Sequence, residues 1–245
     1  MTMFTAFTEQ FRKQDICLFS DFVSESAPFG VVTAATTGLG TVSFSNGNTD
    51  TTQANQPLGI MTLTSTGTLN VVAAIYPFIG VYPSVAATGG GTVNRDFRVG
   101  RGEIDFEARI RTVSSGANIL VTAGIGLPND VAPPSIAADF VGFYAFGDQA
   151  TWKAALVIGG VTQRSVETNL SKSGFHDFRV FLDADANRAT VWANGQRIAI
   201  FDGQLPTTTG LLPHIEVRDK LQTGSVLAAQ SAEIDYMLVK LKAPR

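Results

Sequence analysis

GFHDFRVFLDADANRATVWANGQRIAIFDGQLP, residues Gly174 to Pro206, decides the fold. Phe178, Val180 and Leu182 alternate with Arg179, Phe181 and Asp183. Ala189, Val191 and Ala193 alternate with Thr190 and Trp192, and Ile198 and Ile200 follow. A period of two in three successive runs predicts three strands, each with one face toward a core and one toward water. Between the second and third runs stands Asn194-Gly195, the dipeptide that accepts positive φ at both central positions of a type I′ turn. An Asp-rich turn, Asp183 to Asn187, closes the preceding hairpin, and the whole stretch is a β-meander.

Outward from the meander the same period recurs. In RGEIDFEARIRT, Arg101 to Thr112, Ile104, Phe106, Ala108 and Ile110 share one face, with Glu103, Asp105, Glu107, Arg109 and Arg111 on the other. One face toward the core and one toward water is the pattern of an antiparallel sandwich. Ile119 to Leu127 is a continuous apolar run suited to a central strand. Val141–Phe146 and Trp152–Ile158 form another hairpin, after which Gly159-Gly160 turns into Val161-Thr162. Leu212–Arg218 and Ala232–Val239 are the closing strands. Upstream, Leu18–Phe22 reads as the first strand, and the polar stretch to Gln56 as loops around one or two edge strands. Helical spacing occurs only in Thr2 to Ile16, where Phe4, Phe7, Phe11 and Ile16 share a face. The expectation is a short arm or helix over residues 1–17 and a single all-β domain, an antiparallel β-sandwich, over residues 18–245.

Composition narrows the function. With 245 residues, 44% of them hydrophobic, the chain can bury one large core. A net charge of −3 gives no basic footprint for nucleic acid. The longest apolar run, Leu69 to Tyr82, is interrupted by Pro77 and too short to span a bilayer, so no membrane partner is expected. Cys17 is the single cysteine; it has no internal disulfide partner and belongs to no zinc cluster, so a buried or idle thiol is expected. The first residues lack the basic start, apolar core and cleavage site of a secretory signal, which suggests synthesis and folding in a cytoplasm.

The order FEARIR, AGIGL, VGFYAF, WKAALV, GGVTQ, the meander, LLPHIEV and a final EIDYMLVKL resembles the concanavalin A-like, or laminin G-like, jelly rolls, in particular those of tailed-phage virion proteins. The resemblance covers roughly residues 18 to 241 and includes the LFSDFV opening and the PLGIMTLTSTGT segment. It implies a virion surface component: a capsid decoration, or cement, protein whose partners are its own copies and the major capsid protein. Because sheet edges template further pairing, such a chain should cover them by assembling, with a homotrimer favoured. The alternative among binding proteins is a tail adhesin for a host surface glycan.

The alternative from another class lies in EIDFE, which resembles the acidic signature of laminarinase-like and lichenase-like glycoside hydrolases. By that resemblance Glu103, Asp105 and Glu107 would be the catalytic set, and alternate strand positions do put all three on one face. Three features lead instead to the expectation of no enzyme: FEARIR and EID are fused in one strand, Arg109 and Arg111 continue the acidic face, and Trp152 and Trp192 are the only tryptophans. Trp152 is the candidate to stack on a sugar, although a core or subunit contact is the favoured reading of it. Asp183, Asp185 and Asn187 alternate as oxygen ligands of a calcium loop would, but without that loop's later Gly and Glu they read as a hairpin turn. Asp139 and Asp148 are further oxygen donors without a motif, and His176 and His214 accompany no nucleophile elbow. No cofactor is implied.

Overall fold

The computed structural model describes residues 16–20, 29–34, 41–45, 60–64, 72–77, 103–113, 119–126, 139–147, 149–183, 187–203, 205, 211–219 and 231–242. Fifteen strands lie within them: β1 (Ile16–Ser20), β2 (Phe29–Ala34), β3 (Thr41–Ser45), β4 (Ile60–Thr64), β5 (Val72–Pro77), β6 (Glu103–Thr112), β7 (Ile119–Gly126) and β8 (Phe140–Phe146), then β9 (Thr151–Ile158), β10 (Val161–Ser171), β11 (His176–Asp183), β12 (Arg188–Ala193), β13 (Gln196–Asp202), β14 (Leu212–Asp219) and β15 (Ser231–Lys242). They form two antiparallel sheets. The front sheet runs β13, β12, β11, β6, β15, β4, β3, with β1 added beside β15. The back sheet runs β10, β9, β8, β7, β14, β5, β2. This is an all-β, two-sheet sandwich of the jelly-roll kind.

The meander forms as its alternation requires. β11, β12 and β13 are consecutive neighbours, and Asn194 (φ 48°) and Gly195 (φ 76°) both adopt the left-handed backbone of a type I′ turn. β6 carries the expected alternation without a break, its even-numbered residues from Ile104 to Thr112 buried and its odd-numbered ones from Glu103 to Arg111 more open. β2 and β3 are indeed edge strands, one in each sheet. Two boundaries move. β1 begins at Ile16, so Ile16 and Cys17 belong to the front sheet rather than to an arm, and the helix expected over residues 2–16 otherwise lies outside the described residues. β10 continues to Ser171, well past Thr162.

The core sits between the sheets. Phe178 of the front sheet stacks on Phe143 of the back sheet at 4.3 Å and meets Trp152 edge-on at 4.9 Å. All three are fully buried, and each such side chain stabilises the fold by about 1.5–3 kcal/mol. Leu120, Phe140, Tyr144, Ala155 and Val157 form a second buried cluster on the far side of the back sheet. Much of β7, β8 and β9 is therefore apolar on both faces, which is why these strands read as continuous apolar runs rather than alternations. Gly142 (φ 156°) permits the packing there: a Cβ would lie 2.4 Å from the Ala123 carbonyl oxygen, where β7 and β8 pair. Among the described residues, the outer face of the front sheet carries the alternating charged side chains of β6 and its neighbours.

Candidate functional site

The alternation of β6 aims Glu103, Asp105, Glu107, Arg109 and Arg111 outward at the middle of the front sheet, between β11 and β15. Each meets a cross-strand partner. Asp105 accepts two hydrogen bonds from Arg179, from Nε at 2.7 Å and Nη2 at 2.8 Å, a bidentate bridge between β6 and β11. That hydrogen bonding is the largest cause raising the Arg179 pKa above its ordinary value. The same guanidinium lies 5.1 Å from the Trp192 ring centre. Arg111 donates to Glu233 from Nε at 2.7 Å, and both Arg109 and Arg111 lie over the Phe175 ring. Arg109 is held more loosely, 3.9 Å from Asp177 and 3.6 Å from Asp235.

Glu107 accepts a 2.7 Å hydrogen bond from the Tyr236 hydroxyl, which also lies 3.3 Å from Asp177 Oδ1. Burial first, and then the Glu107 hydrogen bond and the nearby carboxylate charges, push the Tyr236 phenol far above its ordinary range. Tyr236 faces outward because of a bulge. The β15–β6 register slips between Ile234 and Tyr236, so Ala232 and Ile234 before it and Met237 and Val239 after it all point into the core. The slip coincides with a change of neighbour on the other side of β15, which pairs with β4 through residues 231–234 and with β1 through residues 237–241. Bulges commonly re-aim a side chain in this way.

Aromatic rings complete the face. Phe181 pairs across strands with Asp105, and Trp192 with Arg179; both are half-buried. Phe19 on β1 is 54% exposed and packs against Tyr236, ring centres 6.3 Å apart. Alternate positions along β6 are ~6.7 Å apart, at the lower end of the ~6.5–9.5 Å that separates paired carboxyls in inverting glycosidases. With Asp105 neutralised by Arg179 and Glu107 bonded to a phenol, the face can bind hydroxyl-rich ligands and holds carboxylates beside them.

The structure brings Glu103, Asp105 and Glu107 together, sets Asp183 beside Glu103, and places the other described candidates elsewhere. Trp152 points between the sheets at 0% exposure and offers no ring to a surface ligand. Its position was ambiguous because the apolar run around it is buried on both faces. Asp183 pairs across strands with Glu103, Asn187 (φ 47°) turns the chain and accepts from the Leu205 backbone at 3.1 Å, and Asp185 lies outside the described residues. Asp139 accepts from the Gly159 backbone at 2.9 Å; Asp148 lies outside the described residues. His176 bonds the Ser171 carbonyl and Asn194, while His214 is buried in β14. Cys17 is exposed, so of the expected buried or idle thiol the buried alternative does not hold. Among the described residues no group of three or more His, Cys, Asp or Glu side chains is placed to hold a metal ion. Sequence reasoning missed Phe19, Arg179, Trp192 and Tyr236; the outward parity of Arg179 and Trp192 in the meander was the available signal.

No family model matches the chain, and no curated protein matches it. Solved structures do match its fold. A Shewanella oneidensis MR-1 protein of unknown function aligns over 99% of this chain and 95% of its own, with 13% identity and a TM-score of 0.60. Peanut lectin aligns over 95% and 99%, with 14% identity and a TM-score of 0.56. A Bacillus licheniformis β-glucanase aligns over 93% and 98%, with 14% identity and a TM-score of 0.53. A glycosidic hydrolase, a lichenase and alginate lyases are similar as well. The expectation that the chain is not an enzyme is overturned here: most of these neighbours are enzymes, so the fold gives no ground for excluding catalysis. None of them bears on a phage origin. At these identities the likeness is one of fold, and the fold is the concanavalin A-like jelly roll of lectins and glucanases.

Proposed function

We propose that this chain is a carbohydrate-recognising jelly roll of a tailed-phage surface that holds a glycan on the outer face of its front sheet. The observation that carries the reading is the composition of that face, where Phe19, Phe181, Trp192 and Tyr236 are interleaved with guanidinium and carboxylate groups fixed by one another. A sugar presents apolar C–H faces and a rim of hydroxyls. Rings beside preorganised donors and acceptors match both. Neighbours named as a lectin, a β-glucanase and alginate lyases support a carbohydrate role, and the phage setting rests on the resemblance in strand order.

Cleavage of the bound glycan is a second reading, favoured by the three carboxylates that alternate on one strand of that face. A third, capsid decoration, is favoured by β2 and β3, edge strands whose residues include no charged side chain. A glycan array together with reducing-sugar release from β-glucans separates these readings. Saturable retention is the expected result. Sugar release abolished by Glu103→Gln and Glu107→Gln adds hydrolysis, whereas retention of no glycan sinks the carbohydrate reading and leaves decoration.

A further inference from the structure

Register places one outward residue from each of six neighbouring strands in a single row: Arg197 on β13, Trp192 on β12, Arg179 on β11, Glu107 on β6, Leu238 on β15 and Phe19 on β1. Deepening the carbohydrate reading above, on which this inference rests, we propose that Trp192 and Phe19 are two stacking subsites of one extended site. A linear glycan then lies across the strands, with Glu107 beneath its middle.

Spacing supports this direction. Trp192 and Phe19 each stand two strands from Glu107, so each ring is displaced from it by ~10 Å, at ~4.8 Å per strand. A chain lying along β6 instead would meet only Glu103, Asp105, Glu107, Arg109 and Arg111, with no ring on that strand. Rings flank that strand at Phe175, Phe181 and Tyr236, but only a chain that crosses the sheet meets Trp192 and Phe19 in one line through Glu107. The row is also stiffened at both ends. Arg179 lies against Trp192 and is itself clamped by Asp105, while Tyr236 packs on Phe19 and donates to Glu107. A ligand seated on Phe19 therefore bears on the group that fixes the Glu107 carboxylate. At the other end Arg197 is exposed and makes no ion pair among the described residues, which leaves its guanidinium available to sugar hydroxyls beside Trp192.

The test is calorimetric titration with β-glucan and polyuronate oligosaccharides of graded length. Affinity for at least one series should rise with chain length until both rings are spanned. Trp192→Ala and Phe19→Ala should each lower long-chain affinity about tenfold, and the double variant should lose the dependence on length. Cys17 gives a readout that needs no ring removed: it is exposed, two residues from Phe19 on the same face, so an environment-sensitive dye on its thiol should respond to long oligosaccharides and ignore short ones. Length-independent binding, indifference to both substitutions, or failure to bind either series overturns the extended site. Array retention alongside any of these leaves the carbohydrate reading standing; no retention at all removes both.

Discussion

Tyr236 has one hydroxyl proton and two carboxylates within reach, Glu107 at 2.7 Å and Asp177 at 3.3 Å. Ionising that phenol would put a third negative charge beside them in a half-buried site, which is why its pKa is driven upward. The folded-state pKa exceeds the unfolded value of about 10. The hydroxyl's contribution to stability is therefore fully present below about pH 10 and is lost as pH rises from there toward the folded-state pKa. Tyr236→Phe removes that contribution. The difference in urea midpoint between the native chain and Tyr236→Phe should be constant at lower pH and shrink above about pH 10. A difference that holds its size through that range would mean that Tyr236 ionises as freely in the folded protein as in the unfolded one.

At the scale of the strand, the bulge in β15 decides what the front face contains. Straight alternation through Ala232, Ile234 and Tyr236 would bury the phenol and turn Met237 and Val239 to solvent. The slip at Asp235 instead buries Met237 and Val239. Deleting Asp235 makes Ile234 and Tyr236 adjacent, so straight alternation then keeps Ala232, Ile234, Met237 and Val239 on the core face, and the deletion should be tolerated. Deleting Leu238 instead removes a residue from the regular part of the ladder and turns Val239 outward, so at ~1.5–3 kcal/mol per displaced side chain it should cost clearly more in a denaturation experiment. Asp235→Ala keeps the extra residue and gives up only a 3.6 Å contact to Arg109, so it should cost under about 1 kcal/mol. Equal losses from the two deletions would count against Asp235 as the inserted residue. The same feature shows what the sequence could reveal. β6 and the meander were legible because one of their faces is buried and the other wet, so Ile104 to Ile110 and Phe178 to Leu182 alternate visibly. The outward turn of Tyr236 was not, because an inserted residue leaves no mark in composition. Nor was the full length of β10, whose edge position exposes Val161 to Ser165 and erases the contrast between its faces. Glu103, Asp105 and Glu107 could be placed on one face from β6 alone; that Trp192 and Phe19 lie in line with Glu107 depends on registers across five strands, which no local pattern encodes.

Taken as a whole, the sandwich has two unlike flanks. On one, β10 is interrupted by register shifts between Thr162 and Arg164 and between Glu167 and Ser171, and Arg164 reaches the Ile200 carbonyl of β13 at 3.3 Å, tying the two sheets together. Charges and bulges on an edge discourage further strands from adding to it. On the other flank, β2 (FGVVTA) and β3 (TVSFS) pair with β5 and β4 without a register shift and contain no charged residue. If copies of this chain assemble, as the decoration reading requires, the contrast assigns the contact to the second flank. Light scattering coupled to size exclusion should then give a discrete oligomer, with a trimer favoured. Thr41→Lys combined with Ser43→Lys should shift it toward monomer by placing cations on the edge that another copy must approach, and Arg164→Ala with Glu167→Ala should leave the mass unchanged. A monomer in the native chain, or dissociation by the β10 changes alone, would remove the second flank as an interface. A glycan site on the front sheet would then serve a chain that works alone.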